Sequence, residues 1–178
     1  RRTRELLGCE VALSEISSAE RIVVEADGLY RRPTHAHERC LASGLRELAS
    51  SPPAFTRPTW PAEHGKLTES QLAAVDAAFA ARLSLVTGGP GTGKTHVISA
   101  IAELARSREL AVQLCAPSGR AARRITDTSG LRAHTIHALI EWNGVQEPAR
   151  GQGNPLEADL VIVDEASMLP LALARRLV

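Results

Sequence analysis

A glycine-rich loop set between an apolar run and a helical run constrains this chain more than any other feature. Residues 85–104 read LVTGGPGTGKTHVISAIAEL, and residues 88–95 match the pattern G-x-x-x-x-G-K-S/T at every fixed position. Glycines lack a Cβ, so successive backbone N–H groups can curl around an anion, and the positive N-terminus of the following helix points at the same place. The loop therefore predicts a phosphate-binding turn between a strand and a helix.

The positions of this loop have expected roles in holding a nucleotide. Lys94 supplies a cation for the outer phosphates, and the Thr95 hydroxyl can bind Mg²⁺, which neutralises charge on the transferred phosphoryl group. We therefore expect a nucleotide and Mg²⁺ as ligands, and the resemblance given below implies that the nucleotide is ATP. The predicted nucleotide-binding residues of the loop are Gly88, Gly89, Pro90, Gly91, Thr92, Gly93, Lys94 and Thr95.

An acidic pair follows an apolar run later in the chain. In DLVIVDEASM, residues 159–168, Asp164 and Glu165 come directly after the run LVIV. Taken alone, such a pair is more often the start of a solvated loop. Together with the phosphate-binding loop, Asp164 is predicted to hold Mg²⁺ through its water shell, and Glu165 to act as general base toward the attacking water. Lys94 and Glu165 are thus the predicted catalytic residues, and what hydrolysis drives stays open.

The order of the apolar runs predicts the fold class. Strand candidates are LSLVT at residues 83–87, AVQLC at 111–115 and LVIV at 160–163, with a helix over about residues 94–108. This alternation predicts parallel strands joined by helical crossovers, which is an α/β fold of the P-loop NTPase kind. The predicted buried face of the helix comprises Val97, Ile98, Ile101, Leu104 and Ala105.

The residues before the loop predict a small α+β accessory unit. Asp27-Gly28 lies between two β-prone runs, which indicates a hairpin, and Leu41, Leu45 and Leu48 form one helical stripe. Four of the ten prolines then fall between residues 52 and 61 and block regular structure. We expect an accessory segment at residues 1–50, a proline-rich linker at 51–66 and an ATP-binding lobe at 67–178.

Charge and composition limit the partners. The 21 basic and 20 acidic residues leave a net charge of +1, so any site for a polyanion must be local. The sequence contains no run of about 20 apolar residues, so no membrane-spanning helix is predicted. The three cysteines are widely spaced and read as reduced thiols, which favours the cytoplasm. The chain begins at Arg1 rather than methionine, so we expect it to be part of a longer protein.

A basic helix is predicted between the two phosphate motifs. Ser118 is a candidate helix cap, and the arginines Arg120, Arg123 and Arg124 gather on the side opposite the apolar residues. Such a face can hold phosphates. The alternative is a solvated surface with pairing such as Arg123 to Asp127, which the charge pattern by itself favours.

The motifs GGPGTGKT, APSGRAARR, TIHALI and DLVIVDEASM, in this order, resemble the first motor lobe of RecD-like superfamily 1 DNA helicases, from about Leu67 to Leu169. The resemblance implies a RecA-like lobe that couples ATP hydrolysis to movement along single-stranded DNA, typically 5′ to 3′, in repair or recombination. It also implies that a strand encoded beyond Val178 lies between the strands ending at Thr87 and Asp164. We therefore expect an incomplete sheet with exposed pairing edges.

The resemblance also implies further site residues. The adenine-reading glutamine corresponds to Gln71, although Thr68-Glu69-Ser70-Gln71 equally predicts a capping box. Ser118 stands where the family often has threonine, which keeps the hydroxyl. The positions that match DNA-contacting residues are Pro117, Ser118, Gly119, Arg120, Thr135 and His137.

The same motifs are also compatible with other functions. The chain could belong to a P-loop ATPase that remodels proteins, or to a nucleotide-dependent binding module without productive hydrolysis. Within the helicase reading, a stand-alone repair enzyme, a recombination-complex subunit with unknown partner subunits, and the motor part of a conjugative relaxase are not separated. Trp142 could stack on a base, but anchoring a helix end is the favoured interpretation.

Overall fold

A computed structural model describes residues 21–26, 28–56 and 67–178. The elements are β1 (Ile22–Glu25), β2 (Gly28–Arg31), α1 (Arg32–Ser50), α2 (Glu69–Ala80), α3 (Lys94–Arg106), β3 (Val112–Ala116), α4 (Gly119–Ser129), β4 (Ala133–Thr135), α5 (Ile136–Leu139), β5 (Leu160–Val163), a 3₁₀ turn (Ala166–Met168) and α6 (Leu171–Leu177). No helix in these ranges is long and apolar enough to cross a membrane.

Three parallel strands form the central sheet in the order β4-β3-β5. Leu114 of β3 lies opposite Ala133 of β4 on one side and Ile162 of β5 on the other. Because the strands are parallel, their carboxyl ends meet at one edge of the sheet. The segments that follow β3, β4 and β5 therefore start from the same edge, and the α/β prediction is confirmed.

Helix α3 packs on the sheet in the direction opposite to the strands. Leu104, near its end, belongs to the same core cluster as Val112 at the start of β3. Ile98, near its beginning, clusters with Leu114 and Ala116 in the second half of β3. The N-terminus of α3 therefore lies at the carboxyl edge of the sheet. The predicted apolar face is buried along its whole length, at Val97, Ile98, Ile101, Leu104 and Ala105.

The strand predicted for residues 83–87 is wrong. These residues form no strand among the described parts of the chain, and the Leu85 and Val86 side chains are 82% and 36% exposed. An apolar run becomes a strand only where a neighbour satisfies its backbone hydrogen bonds. In the described ranges β5 pairs with β3 alone, so its other edge has no strand. The sheet is thus incomplete at the place the resemblance indicated.

The first described residues form a hairpin followed by a long helix. Strands β1 and β2 pair antiparallel, with Glu25 opposite Gly28, while Asp27 of the predicted turn lies outside the described residues. Helix α1 packs along α6. A Cβ built at Gly44 would lie 2.6 Å from Val178 Cγ1, so the two helices approach closely there. The accessory boundaries remain predictions, and residues 1–20 and 57–66 lie outside the described chain.

Candidate nucleotide site and the adjacent basic helix

The glycine loop depends on glycine at particular positions. Gly91 and Gly93 have positive φ values of 75° and 81°, in the left-handed region that side chains disfavour. A Cβ built at Gly93 would also overlap Gln71 Nε2, and one at Gly88 would lie 2.7 Å from Thr92 Oγ1. The loop therefore reaches this shape because no Cβ stands in the way.

Lys94 closes the loop on itself. Its Nζ donates to the carbonyl oxygens of Gly88 and Gly89, each at 2.7 Å, and Thr92 Oγ1 donates to the same Gly89 oxygen at 2.9 Å. The loop residues from Gly88 to Thr92 are exposed. A phosphate entering this loop would offer Lys94 a charged acceptor in place of two neutral ones.

Gln71 connects helix α2 to the loop. Its backbone N–H donates to Thr68 Oγ1 at 3.3 Å, and its Oε1 accepts from the Thr68 N–H at 3.0 Å, so the capping box is present. Its Nε2 donates to the Thr92 carbonyl oxygen at 3.0 Å. The amide thus uses both ends locally and sits beside the phosphate loop. The adenine contact stays a prediction.

The acidic pair lies at the carboxyl end of β5. The Asp164 N–H donates to the Cys115 carbonyl at 3.0 Å, and Asp164 Oδ1 accepts from the Glu165 N–H at 2.8 Å. Glu165 has a positive φ of 54°, which is uncommon for a residue with a side chain and turns it away from the strand direction. Burial in an apolar cluster raises the pKa of the Cys115 thiol to about 12, so this thiol stays neutral.

An arginine of α4 reaches this acidic pair. Arg124 Nη2 lies 2.7 Å from Glu165 Oε1 and 3.9 Å from Asp164 Oδ2. The charge pattern places Arg124 on a basic face that can hold phosphates but does not predict a contact with the acidic pair. No local pattern could have assigned one, because the contact depends on β5 lying next to β3. Arg123, by contrast, is exposed and lies 4.0 Å from Asp127, as expected of a solvated surface pair.

The residues matched to DNA contacts lie at the ends of β3 and β4. Ser118 Oγ accepts from the Ala121 N–H at 3.2 Å and so caps α4, as predicted. Thr135 Oγ1 accepts from the Ala138 N–H at 3.1 Å and caps α5. A Cβ built at Gly119 would lie 3.9 Å from Thr135 Cγ2, so the two turns are neighbours. The segment that begins α4 therefore lies next to the turn that begins α5.

His137 is partly buried against a neighbouring aromatic ring. Its ring stacks on Trp142 with centroids 5.2 Å apart and planes 1° from parallel, and the Arg176 guanidinium lies 4.4 Å from the Trp142 ring. These contacts hold the indole against α5 and α6. They agree with Trp142 as an anchor of a helix end and offer less support for base stacking.

The donors at the site are suited to Mg²⁺. In the described ranges no group of three or more His, Cys, Asp or Glu side chains could hold a metal ion unaided. Magnesium at nucleotide sites typically uses one or two protein oxygens together with phosphates and water. Thr95 at the start of α3 and Asp164 at the end of β5 both present oxygens at the carboxyl edge.

The chain matches one family model and is similar in sequence to several named proteins. Residues 71–178 match the family model described as AAA domain. The ATP-dependent RecD2 DNA helicase of Deinococcus radiodurans is 39% identical over 165 residues, 90% of this chain and 23% of the relative. The RecBCD enzyme subunit RecD of Haemophilus influenzae is 30% identical over 141 residues, 65% of this chain and 22% of the relative.

A further relative, the RecBCD enzyme subunit RecD of Mycolicibacterium smegmatis, is 30% identical over 176 residues and 85% of this chain. The chain spans 22% to 32% of the length of these three relatives. The matched region contains the glycine loop, the basic helix and the acidic pair. The chain therefore belongs to the AAA-domain family and is a RecD-like member of it.

Proposed function

We propose that this chain is the ATP-binding lobe of a DNA helicase that moves along single-stranded DNA, 5′ to 3′, in repair or recombination. One observation carries the proposal. The glycine loop, the acidic pair and the segment Pro117–Arg120 all lie at the carboxyl edge of one parallel sheet. The residues proposed for nucleotide chemistry and those proposed for DNA contact thus start from the same edge, and the RecD names of the relatives support this pairing.

The residues of the loop would bind and orient the nucleotide. The loop N–H groups and the N-terminus of α3 hold the phosphates, and Lys94 turns from the Gly88 and Gly89 carbonyls toward them. Thr95 and Asp164 would hold Mg²⁺, which supplies charge neutralisation on the transferred phosphoryl group. Gln71, already beside the loop, would exchange its capping bond for the adenine edge.

Glu165 would act as general base. It follows Asp164 at the end of β5, and its left-handed backbone carries the side chain out of the strand. A base must lie within hydrogen-bond reach of the water whose proton it accepts, directly or through one further water. Replacing Glu165 with glutamine keeps the shape and removes the base, so hydrolysis should fall by about 100-fold or more.

The segment of residues 117–120, called the basic segment here, would contact the DNA backbone. Arg120 is exposed in the first turn of α4, where free backbone N–H groups and the helix dipole favour an anion. Contacts of this type fix the position of a strand without reading its sequence. Thr135 and His137 would complete this surface. ATP and DNA occur together in the bacterial cytoplasm, where we place the protein.

Strand separation tests this function. The full-length protein would be incubated with ATP and a short duplex carrying a single-stranded tail at either the 5′ or the 3′ end. We expect unwinding of the 5′-tailed duplex, none with Lys94→Ala, and wild-type unwinding with the matched surface variant Arg108→Gln. Hydrolysis without separation of either duplex would contradict the helicase function and favour an ATPase that acts on proteins.

A further inference from the structure

Arg124 lies between the acidic pair and solvent. Its guanidinium contacts Glu165 Oε1 at 2.7 Å and approaches Asp164 Oδ2 at 3.9 Å. The Arg124 side chain is 62% exposed, whereas the side chains of Glu165 and Asp164 are 27% and 14% exposed. The arginine therefore engages two shielded carboxylates while most of its own surface stays accessible to another ligand.

The same arginine belongs to the helix that begins at the proposed DNA surface. Arg120 and Arg124 are four residues apart in α4, so their Cβ atoms lie about 6 Å apart on one side of the helix. A strand held at Arg120 is therefore near Arg124. Phosphate and carboxylate are competing acceptors for a guanidinium, because both accept its parallel N–H donors.

We propose that Arg124 is a positioning residue that exchanges between Glu165 and a phosphate of single-stranded DNA. Without DNA, the Arg124 guanidinium takes up one acceptor site of Glu165 Oε1, so fewer acceptor sites of the carboxylate are left for the attacking water. A DNA phosphate bound near Arg120 draws the Arg124 guanidinium away from Glu165. Both oxygens of the Glu165 carboxylate can then accept from the water. This inference rests on the proposed function and deepens it, because it explains how DNA would increase hydrolysis.

Competition between Glu165 and DNA for Arg124 should affect DNA binding even in the absence of nucleotide. If Glu165 and DNA compete for Arg124, each weakens the other's hold on it by the same factor. Glu165→Gln removes the competing charge and should strengthen DNA binding. That gain requires Arg124, so it should vanish when Arg124 is also replaced. A purely structural role for the ion pair predicts no such dependence.

The first test measures binding of a fluorescent oligothymidylate to the full-length protein by anisotropy, without ATP or Mg²⁺. Relative to wild type, Glu165→Gln should bind about threefold tighter, the size expected for a partly exposed ion pair. Arg124→Gln should bind more weakly, with a salt dependence shallower by about 0.7 in logarithmic slope. The double variant should match Arg124→Gln. Tighter binding in the double variant than in Arg124→Gln would overturn the proposal.

The second test measures hydrolysis by the same variants. Arg124→Gln should raise the rate without DNA and bring the ratio of rates with and without DNA toward one. Arg123→Gln, one residue away on the same helix, is the matched control and should leave both rates unchanged. Equal behaviour of the two variants, or loss of activity with a lowered melting temperature in Arg124→Gln alone, would overturn the exchange.

The two hypotheses fail in different ways. If wild-type protein neither binds the oligothymidylate nor hydrolyses ATP faster in its presence, the proposed function fails and the exchange fails with it. If wild type shows both effects while Arg124→Gln retains the full stimulation, only the exchange is wrong.

Discussion

At the scale of single residues, the phosphate loop is shaped by what its glycines leave out. Gly93 combines a positive φ of 81° with the close approach of Gln71 Nε2, so it has two separate reasons to lack a Cβ. Gly89 has neither, because a Cβ built there meets nothing within 4 Å. Gly93 is a fixed position of the motif and Gly89 is a variable one, and the structure gives a physical reason for that difference.

This difference predicts unequal effects on stability. Gly93→Ala should lower the free energy of unfolding by about 1–2 kcal/mol, because a left-handed backbone is unfavourable for alanine and Gln71 must move. Gly89→Ala should leave it within about 0.5 kcal/mol. Urea unfolding of both variants without nucleotide checks the prediction, and equal losses would contradict it.

At the scale of elements, helix α1 packs on α6 beside His37, whose charge state depends on this packing. The pKa of His37 in α1 is lowered by its burial and by the nearby Arg175 and Arg176 of α6, with Glu147 acting in the opposite sense. Because folding lowers this pKa, the unfolded chain takes up a proton more readily than the folded one. The contribution of neutral His37 to the free energy of unfolding is therefore present above the ordinary histidine pKa. It is lost as the pH falls through that pKa.

We accordingly expect the packing of α1 on α6 to weaken between about pH 7.5 and pH 5.5. The variant His37→Gln should lose less stability over this interval than the wild type, because it has no imidazole to protonate. Urea denaturation at both pH values measures the difference, with His134→Gln as the matched histidine control. An identical pH dependence in wild type and His37→Gln would rule out this role for His37.

The elements also show how far the sequence could be read. The buried face of α3 and the strands β3 and β5 follow from local periodicity, and the predicted strand at residues 111–115 is shifted by only one residue. Residues 83–87 are also mostly apolar but form no strand. Apolar composition can be read from these five residues alone. The neighbouring strand that they would need to pair with comes from distant parts of the chain.

At the scale of the whole molecule, chemistry depends on the order of strands in the sheet. The motifs named the glycine loop, the acidic pair and the basic segment one at a time. Their meeting at one edge follows from the parallel pairing of the strands, and their spacing along that edge follows from the order β4-β3-β5, which no motif specifies. The contact of Arg124 with Glu165 arises for the same reason, since α4 follows β3 and the acidic pair follows its neighbour β5.

We propose that one edge of the sheet joins a nucleotide site to a DNA surface. The most direct test is the steady-state rate of ATP hydrolysis by the full-length protein with and without a single-stranded oligonucleotide. We predict a clear increase with the oligonucleotide, and a loss of about 100-fold or more in Glu165→Gln, with Lys94→Ala also inactive. Hydrolysis that is abolished by both substitutions but indifferent to DNA would contradict the coupling.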